Sequence, residues 1–265
     1  WGVQFYGADL GNKEQVGQVF TIYPFIRLPL TKGMRTKLNL KLGSGFGYAT
    51  KAFNADNNHK NIALGSSVNG TMALHLDVEH RINNLFLSLS LSMTHFSNAA
   101  YRMPNLGYNI PQLNVGAMYQ FGDDIVLDEA PAYSKHPETH SNLYVIGAFG
   151  LREIYPPEGG KYPVYSVSGQ YLYNRSKKFA WECGLDLFYN SGVGRWDSGS
   201  EILQAGAHVG FVQQFGKLGI NLQMGYYAIS KYKGNGPFYH RLGMRFSVTE
   251  SVFILWGLKT HFAKA

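Results

Sequence analysis

Apolar and polar residues alternate along almost the whole chain. Leu85, Leu87, Leu89, Leu91 and Met93 interleave with Phe86, Ser88, Ser90, Ser92 and Thr94. A period of two marks a β-strand with two unlike faces. The pattern recurs upstream, where Phe20, Ile22, Ile26, Leu28 and Leu30 oppose Thr21, Tyr23 and Arg27, and Met72, Leu74, Leu76 and Val78 oppose His75, Asp77, Glu79 and Arg81. It recurs downstream, where Leu113, Val115, Ala117, Tyr119 and Phe121 oppose Gln112, Asn114, Gly116 and Gln120. Segments near 142–154, 161–174, 178–190, 201–215, 217–232, 238–249 and 251–262 read the same way. Short breaks fall at Asn83-Asn84, Arg175-Ser176-Lys177, Gly216-Lys217 and Thr249-Glu250-Ser251, and longer polar connections at 53–60, 124–141, 155–161, 191–200 and 231–237.

Short turns alternating with long loops predict an all-β chain: a transmembrane up-and-down antiparallel β-barrel. About 13 strand candidates can be read. Bacterial single-chain barrels hold even numbers, so 12 or 14 strands are expected, in one domain spanning 1–265. A soluble β-sandwich or lipocalin-like barrel is the competing architecture. Two features weigh against it. Glycine, charge and amide share one face, which suits a wet lumen. Aromatic residues (Tyr48, Tyr119, Tyr189, Tyr226 and Trp256) gather near strand ends as interfacial girdles do.

Composition narrows this reading. The 265 residues are 45% hydrophobic and 15% aromatic, with 31 glycines. No apolar run is long enough for a transmembrane helix. A mean hydropathy of −0.17 is compatible with a membrane barrel, since only alternate residues meet lipid. The chain opens directly on strand-like sequence, so an exported protein would have lost its signal peptide. The net charge of +7 suits solvated loops and a polar lumen, or attraction to an anionic surface such as lipopolysaccharide phosphates. No basic cluster points to nucleic acid. The single cysteine, Cys183, excludes an internal disulfide and shares an apolar face with Phe179, Trp181, Leu185 and Leu187, where packing is its default role. His136 and His140 are spaced like ligands but lack helical support, so no metal and no cofactor is expected.

Carrying the parity of the Leu85 strand onward puts His95 and Ser97 on its leucine face. Residues two apart on a strand have Cα atoms roughly 6.6–7 Å apart, within reach of an imidazole leaning toward a hydroxyl. A serine beside a histidine is the minimum for an activated oxygen nucleophile, although two polar residues at a membrane boundary would show the same spacing.

The wider string, His95-Phe96-Ser97-Asn98-Ala99 followed by Pro104-Asn105-Leu106-Gly107, resembles the lipid A 3-O-deacylase (PagL-type) family of outer-membrane enzymes. That resemblance implies a bacterial outer-membrane barrel with a serine esterase site on its lipid-facing wall, which removes an ester-linked acyl chain from lipid A. It implies Ser97 as nucleophile, His95 as general base, and Asn98 and Asn105 as residues that hold the oxyanion or orient the substrate. The family's acidic third member falls at Asn109. An amide there can orient an imidazole but cannot offset its positive charge. Asn109 does share the apolar parity of Leu113 and Val115. Asp77 and Glu79 fall on the opposite face, where a lumenal charge network is their expected role.

The resemblance covers 1–122, whereas 123–265 extends beyond the motif-bearing part. The implied partners are lipopolysaccharide, lipid A and membrane lipid; a homodimer or a partner subunit stays open. The alternative function is a non-catalytic outer-membrane barrel (pore, scaffold or partner subunit) with a degenerate deacylase motif. In that case lumenal Lys37, Lys41, Arg241, Arg245 and Lys259 would matter more than His95.

Overall fold

The computed structural model describes residues 2–31, 35–122, 139–193, 203–232 and 236–261. Within them the chain forms thirteen strands: β1 (Gly2–Asp9), β2 (Gln18–Pro29), β3 (Thr36–Ala49), β4 (Val68–Ile82), β5 (Leu85–Ser97), β6 (Tyr108–Tyr119), β7 (His140–Glu153), β8 (Lys161–Ser176), β9 (Phe179–Asn190), β10 (Leu203–Phe215), β11 (Leu218–Ile229), β12 (Phe238–Ser247) and β13 (Phe253–Thr260). Their number equals the count of strand candidates legible in the sequence; an even total of 12 or 14 is not what the described residues display. β1–β6 form one sheet and β7–β13 another, each with sequential antiparallel neighbours. The chain divides into two compact units, Trp1–Leu127 with Tyr155–Glu158, and Asp128–Ile154 with Gly159–Ala265. No helix among the described residues is long and apolar enough to cross a membrane, which says nothing of crossing by strands.

Two-residue turns close several hairpins. Asn83 has φ +54° at the β4–β5 turn and Gly216 φ +60° at the β10–β11 turn. Both meet the left-handed requirement of tight hairpins, which asparagine and glycine tolerate best. The opposite ends of the strands carry the longer connections, among them 50–67 between β3 and β4 and 98–107 between β5 and β6.

In unit 1 the faces sort as the alternation demands. On β5, Ser90, Ser92 and Thr94 are buried, whereas Leu87, Leu89, Leu91 and Met93 are exposed. On β4, His75, Asp77 and Glu79 are buried beside exposed Leu74, Leu76 and Val78. Arg27 of β2 serves the buried acids, 2.8 Å from Glu79 and 3.8 Å from Asp77, and the Tyr23 hydroxyl meets His75 Nε2 at 3.3 Å. The sequence suggests Arg81 as the basic member of this network, but its Nε donates to the Asn83 carbonyl. Near the long-loop end the polar lining gives way to an apolar cluster of Val19, Ala49, Leu64 and Phe96, with Tyr6, Ala8, Tyr108 and Ile110 against it. Leu64 comes from the 50–67 connection, so this cluster pins that loop to the sheet.

Unit 2 repeats the scheme. Leu185, Leu187 and Val209 are exposed, and Cys183 lies exposed on the same face. The inner face converges on Asp186. Its carboxylate accepts from His208 Nδ1–H at 2.8 Å, from Arg241 at 2.9 Å, and from the hydroxyls of Ser168 and Tyr239. The sheet curls far enough for Tyr144 of β7 to meet Phe253 of β13, ring centroids 5.3 Å apart. His261, expected on the polar face, bonds the Tyr227 hydroxyl at 2.8 Å.

Removing one partner of a buried, bonded charge leaves the others uncompensated, at a cost of about 3–5 kcal/mol. Asp186→Ala is therefore expected to lower the thermal unfolding temperature in detergent by many degrees. Leu185→Ala, on the exposed face, should leave it almost unchanged. Equal responses, read by circular dichroism, would contradict this assignment of inside and outside.

Candidate active site

The outer face of unit 1 changes character at the last turn of β5. His95 lies directly opposite Asn109 of β6 and Met72 of β4, and Ser97 opposite Gly70. Between them Phe96 points the other way, fully buried in the apolar cluster. One strand end therefore carries an inward anchor flanked by two outward polar side chains, as the parity requires. Below them on the same face lie Met93, Leu91, Leu74 and Leu113, all exposed.

His95 Nδ1 and Asn109 Oδ1 are 2.8 Å apart. An amide oxygen only accepts, so this bond places the imidazole proton on Nδ1 and leaves the lone pair on Nε2. That is the tautomer a general base needs. Gly107 closes against the ring: it has φ +77°, and a Cβ there would lie 2.9 Å from His95 Cε1 and 2.8 Å from the Phe96 carbonyl. Its N–H donates to the Ala63 carbonyl at 2.8 Å, which ties the 50–67 loop to the backbone beneath His95.

Ser97 is embedded in amides. Its hydroxyl lies 3.3 Å from Asn105 Oδ1 and accepts from Asn105 Nδ2 at 3.0 Å and from the Ala99 N–H at 3.3 Å. Buried Asn105 also accepts the Asn98 N–H at 2.9 Å, which folds the far side of the loop onto the serine. Asn98 turns its own side chain elsewhere. Its Nδ2 donates to Ser66 Oγ at 3.0 Å and to the Arg102 carbonyl at 2.9 Å, and its Oδ1 accepts the Arg102 N–H at 3.3 Å. Directly after this pair, Ala99 and Ala100 have φ +57° and +60°. Left-handed backbone at alanine costs on the order of 1 kcal/mol per residue and persists only where surrounding bonds impose it.

The structure thus brings all five residues singled out from sequence into one place. His95 is paired with Asn109, and Ser97 with Asn105. Among the described residues His95 and Ser97 do not hydrogen-bond each other. Gly107, Ser66 and the backbone of Ala63 belong to the site without a prior signal, except that an isolated glycine after Asn105-Leu106 is a turn marker. His136 lies outside the described residues, and among those described no group of His, Cys, Asp or Glu could hold a metal ion. His140 opens β7 and His59 sits exposed in the 50–67 loop.

Against known families, the lipid A 3-O-deacylase (PagL) model matches residues 1–118 and the acyloxyacyl hydrolase C-terminal domain model matches residues 139–265. No curated protein and no solved structure matches the chain.

The contact between Gly107 and the imidazole makes a direct test. Gly107→Ala is expected to displace the ring, shifting the His95 Cε1–H resonance of histidine-labelled protein while that of exposed His59 stays in place. An unmoved His95 resonance would contradict the packing described.

Proposed function

Residues 1–118 belong to the lipid A 3-O-deacylase (PagL) family and residues 139–265 to the acyloxyacyl hydrolase C-terminal domain family; from that premise we propose that this protein is a serine esterase of the bacterial outer membrane. It removes an ester-linked acyl chain from lipid A, working from the outer wall of a transmembrane up-and-down barrel with an even number of strands. The observation that carries the proposal is the joint projection of His95, Ser97 and Asn109 from an otherwise apolar exposed face, at the end of the strands where the long connections lie. Longer loops of such barrels are extracellular, and lipid A occupies the outer leaflet. The ester can then reach the serine sideways without leaving the membrane.

In this reading the Ser97 hydroxyl swings from Asn105 Oδ1 to His95 Nε2, a rearrangement of the kind that substrate binding brings about. Nε2 takes the proton as Oγ attacks the ester carbonyl. The tetrahedral oxyanion receives the Asn105 amide, a donor that strengthens as charge develops. Asn98, whose amide hydrogens go to Ser66 and Arg102, orients the loop. Collapse expels the sugar 3-hydroxyl, which takes the proton back from His95, and water then releases a 3-hydroxy fatty acid. Asn109 holds the base in its working tautomer but adds no negative charge beside the imidazolium.

Purified protein incubated with lipid A in detergent should release a 3-hydroxy fatty acid, and Ser97→Ala should abolish the release. His95→Gln should slow it by about 10²–10⁴-fold, the usual contribution of a positioned base. Asn109→Glu should raise kcat by about tenfold, because the tautomer is already correct and only the charge is missing. Release by Ser97→Ala equal to that of the unaltered protein would end the catalytic reading.

One observation favours a second reading, that of a non-catalytic barrel: His95 and Ser97 each bond an asparagine and not one another. A pore or scaffold would show no acyl release. As a pore it would conduct across planar bilayers through a channel sensitive to charge reversal at Arg241 or Lys259.

A further inference from the structure

Between Asn83 and Gly122, which covers both strands bearing the candidate site and the loop joining them, Arg102 is the sole Asp, Glu, Lys or Arg. Every other residue of this stretch is apolar, uncharged polar or histidine. A lone charge in such a stretch is ordinarily a solvated surface group, and its side chain then has no reason to be held anywhere in particular. Arg102 is held. Its N–H and its carbonyl both bond the side chain of Asn98, the residue that follows Ser97. Gly65 of the 50–67 loop lies against the carbonyls of Arg102 and Met103, with no room for a Cβ. The guanidinium itself is exposed, and no ion pair or side-chain hydrogen bond engages it among the described residues. Tyr101 beside it is also exposed. Across the site, the loop tied to Gly107 and Asn98 adds exposed Lys51 and Lys60 against a single acid, Asp56.

The order of chemistry along this wall is therefore an apolar track (Leu91, Met93), then a hydroxyl and an imidazole, then a fixed unpaired cation. An amphiphile laid along it would put its chain on the track, its ester at Ser97 and an anionic head group at the loop. Guanidinium is the side chain best shaped for phosphate, which it grips through paired N–H donors. We propose that Arg102 is a specificity-determining residue that binds a phosphate monoester on the sugar of the acylated substrate. This rests on the esterase reading for its kinetic test, though not for its binding test.

The experiment compares the unaltered protein, Arg102→Ala and Arg102→Lys on lipid A and on the same lipid dephosphorylated enzymatically, with initial rates measured at low and high salt. For phosphorylated lipid A, Arg102→Ala should raise KM by about five- to tenfold with kcat within about twofold, as expected for loss of one charge-assisted contact at a partly hydrated surface. Arg102→Lys should recover part of the loss, because a point charge remains without the fork. For dephosphorylated lipid A the three proteins should coincide, and added salt should erode the preference for phosphate. A parallel arm measures binding of both lipids to Ser97→Ala and to Ser97→Ala/Arg102→Ala, with inorganic phosphate as competitor. Phosphate-dependent binding lost with Arg102 would support the assignment even in a protein with no turnover, in which case the esterase reading alone would fall. Equal losses on both lipids would make Arg102 a structural part of the loop, and no loss on either would make it a solvated surface charge; each result overturns the proposal.

Discussion

The pleat of a single strand governs everything proposed for this protein. Successive side chains of β5 leave on opposite sides, so Phe96 can be driven into an apolar cluster only if His95 and Ser97 face outward. Slippage of the pairing by one residue would bury the leucines of β5 and send Ser90, Ser92 and Thr94 to the exposed face. Three restraints oppose that slip: the tight turn at Asn83-Asn84, the burial of Phe96, and the bonding of acids on neighbouring β4 to Arg27. The outward placement of the serine and histidine is thus a consequence of the sheet's hydrophobic sorting. No special local fold is needed to expose them.

What the sheet does not supply, amides do. The loop after Ser97 contains no acid, and its shape comes from Asn98 and Asn105 reaching across it, with Gly107 and Gly65 admitting close backbone approach from the neighbouring loop. Left-handed Ala99 and Ala100 are the cost of turning the chain so sharply behind the nucleophile. The same reliance on amides extends to Asn109. A neutral acceptor can select the imidazole tautomer as well as a carboxylate can. It stabilises the charged ring less, so a slow catalyst is the natural outcome of this arrangement.

Much of this could be read from sequence because period-two alternation is local. Strand positions, the outward parity of His95, Ser97 and Asn109, and the inward parity of His75, Asp77, Glu79 and His208 need only neighbouring residues. The parts that escaped depend on register between distant strands or on loop packing. Arg27 rather than Arg81 meets Glu79 because β2 and β4 flank β3 in the sheet, which no pattern within β4 discloses. The attachment of the 50–67 loop to Gly107 and Asn98 depends on Leu64 finding the Phe96 cluster, and nothing local marks Leu64 among other loop residues. The separation into a six-stranded and a seven-stranded sheet is likewise hidden, since alternation is equally strong on both sides of the 124–141 connection. The two family matches divide the chain near that same connection.

The central claim is that an outward-facing hydroxyl on the wall of the sheet takes an acyl group from a membrane lipid. Rapid acid quenching of the protein during its first turnover on lipid A, followed by peptide mass spectrometry, addresses it without reference to rates. The expected result is a 3-hydroxyacyl ester on the peptide containing Ser97. Fatty acid released with that peptide unmodified, or with the acyl group on an inner-face residue such as Ser168, would contradict it.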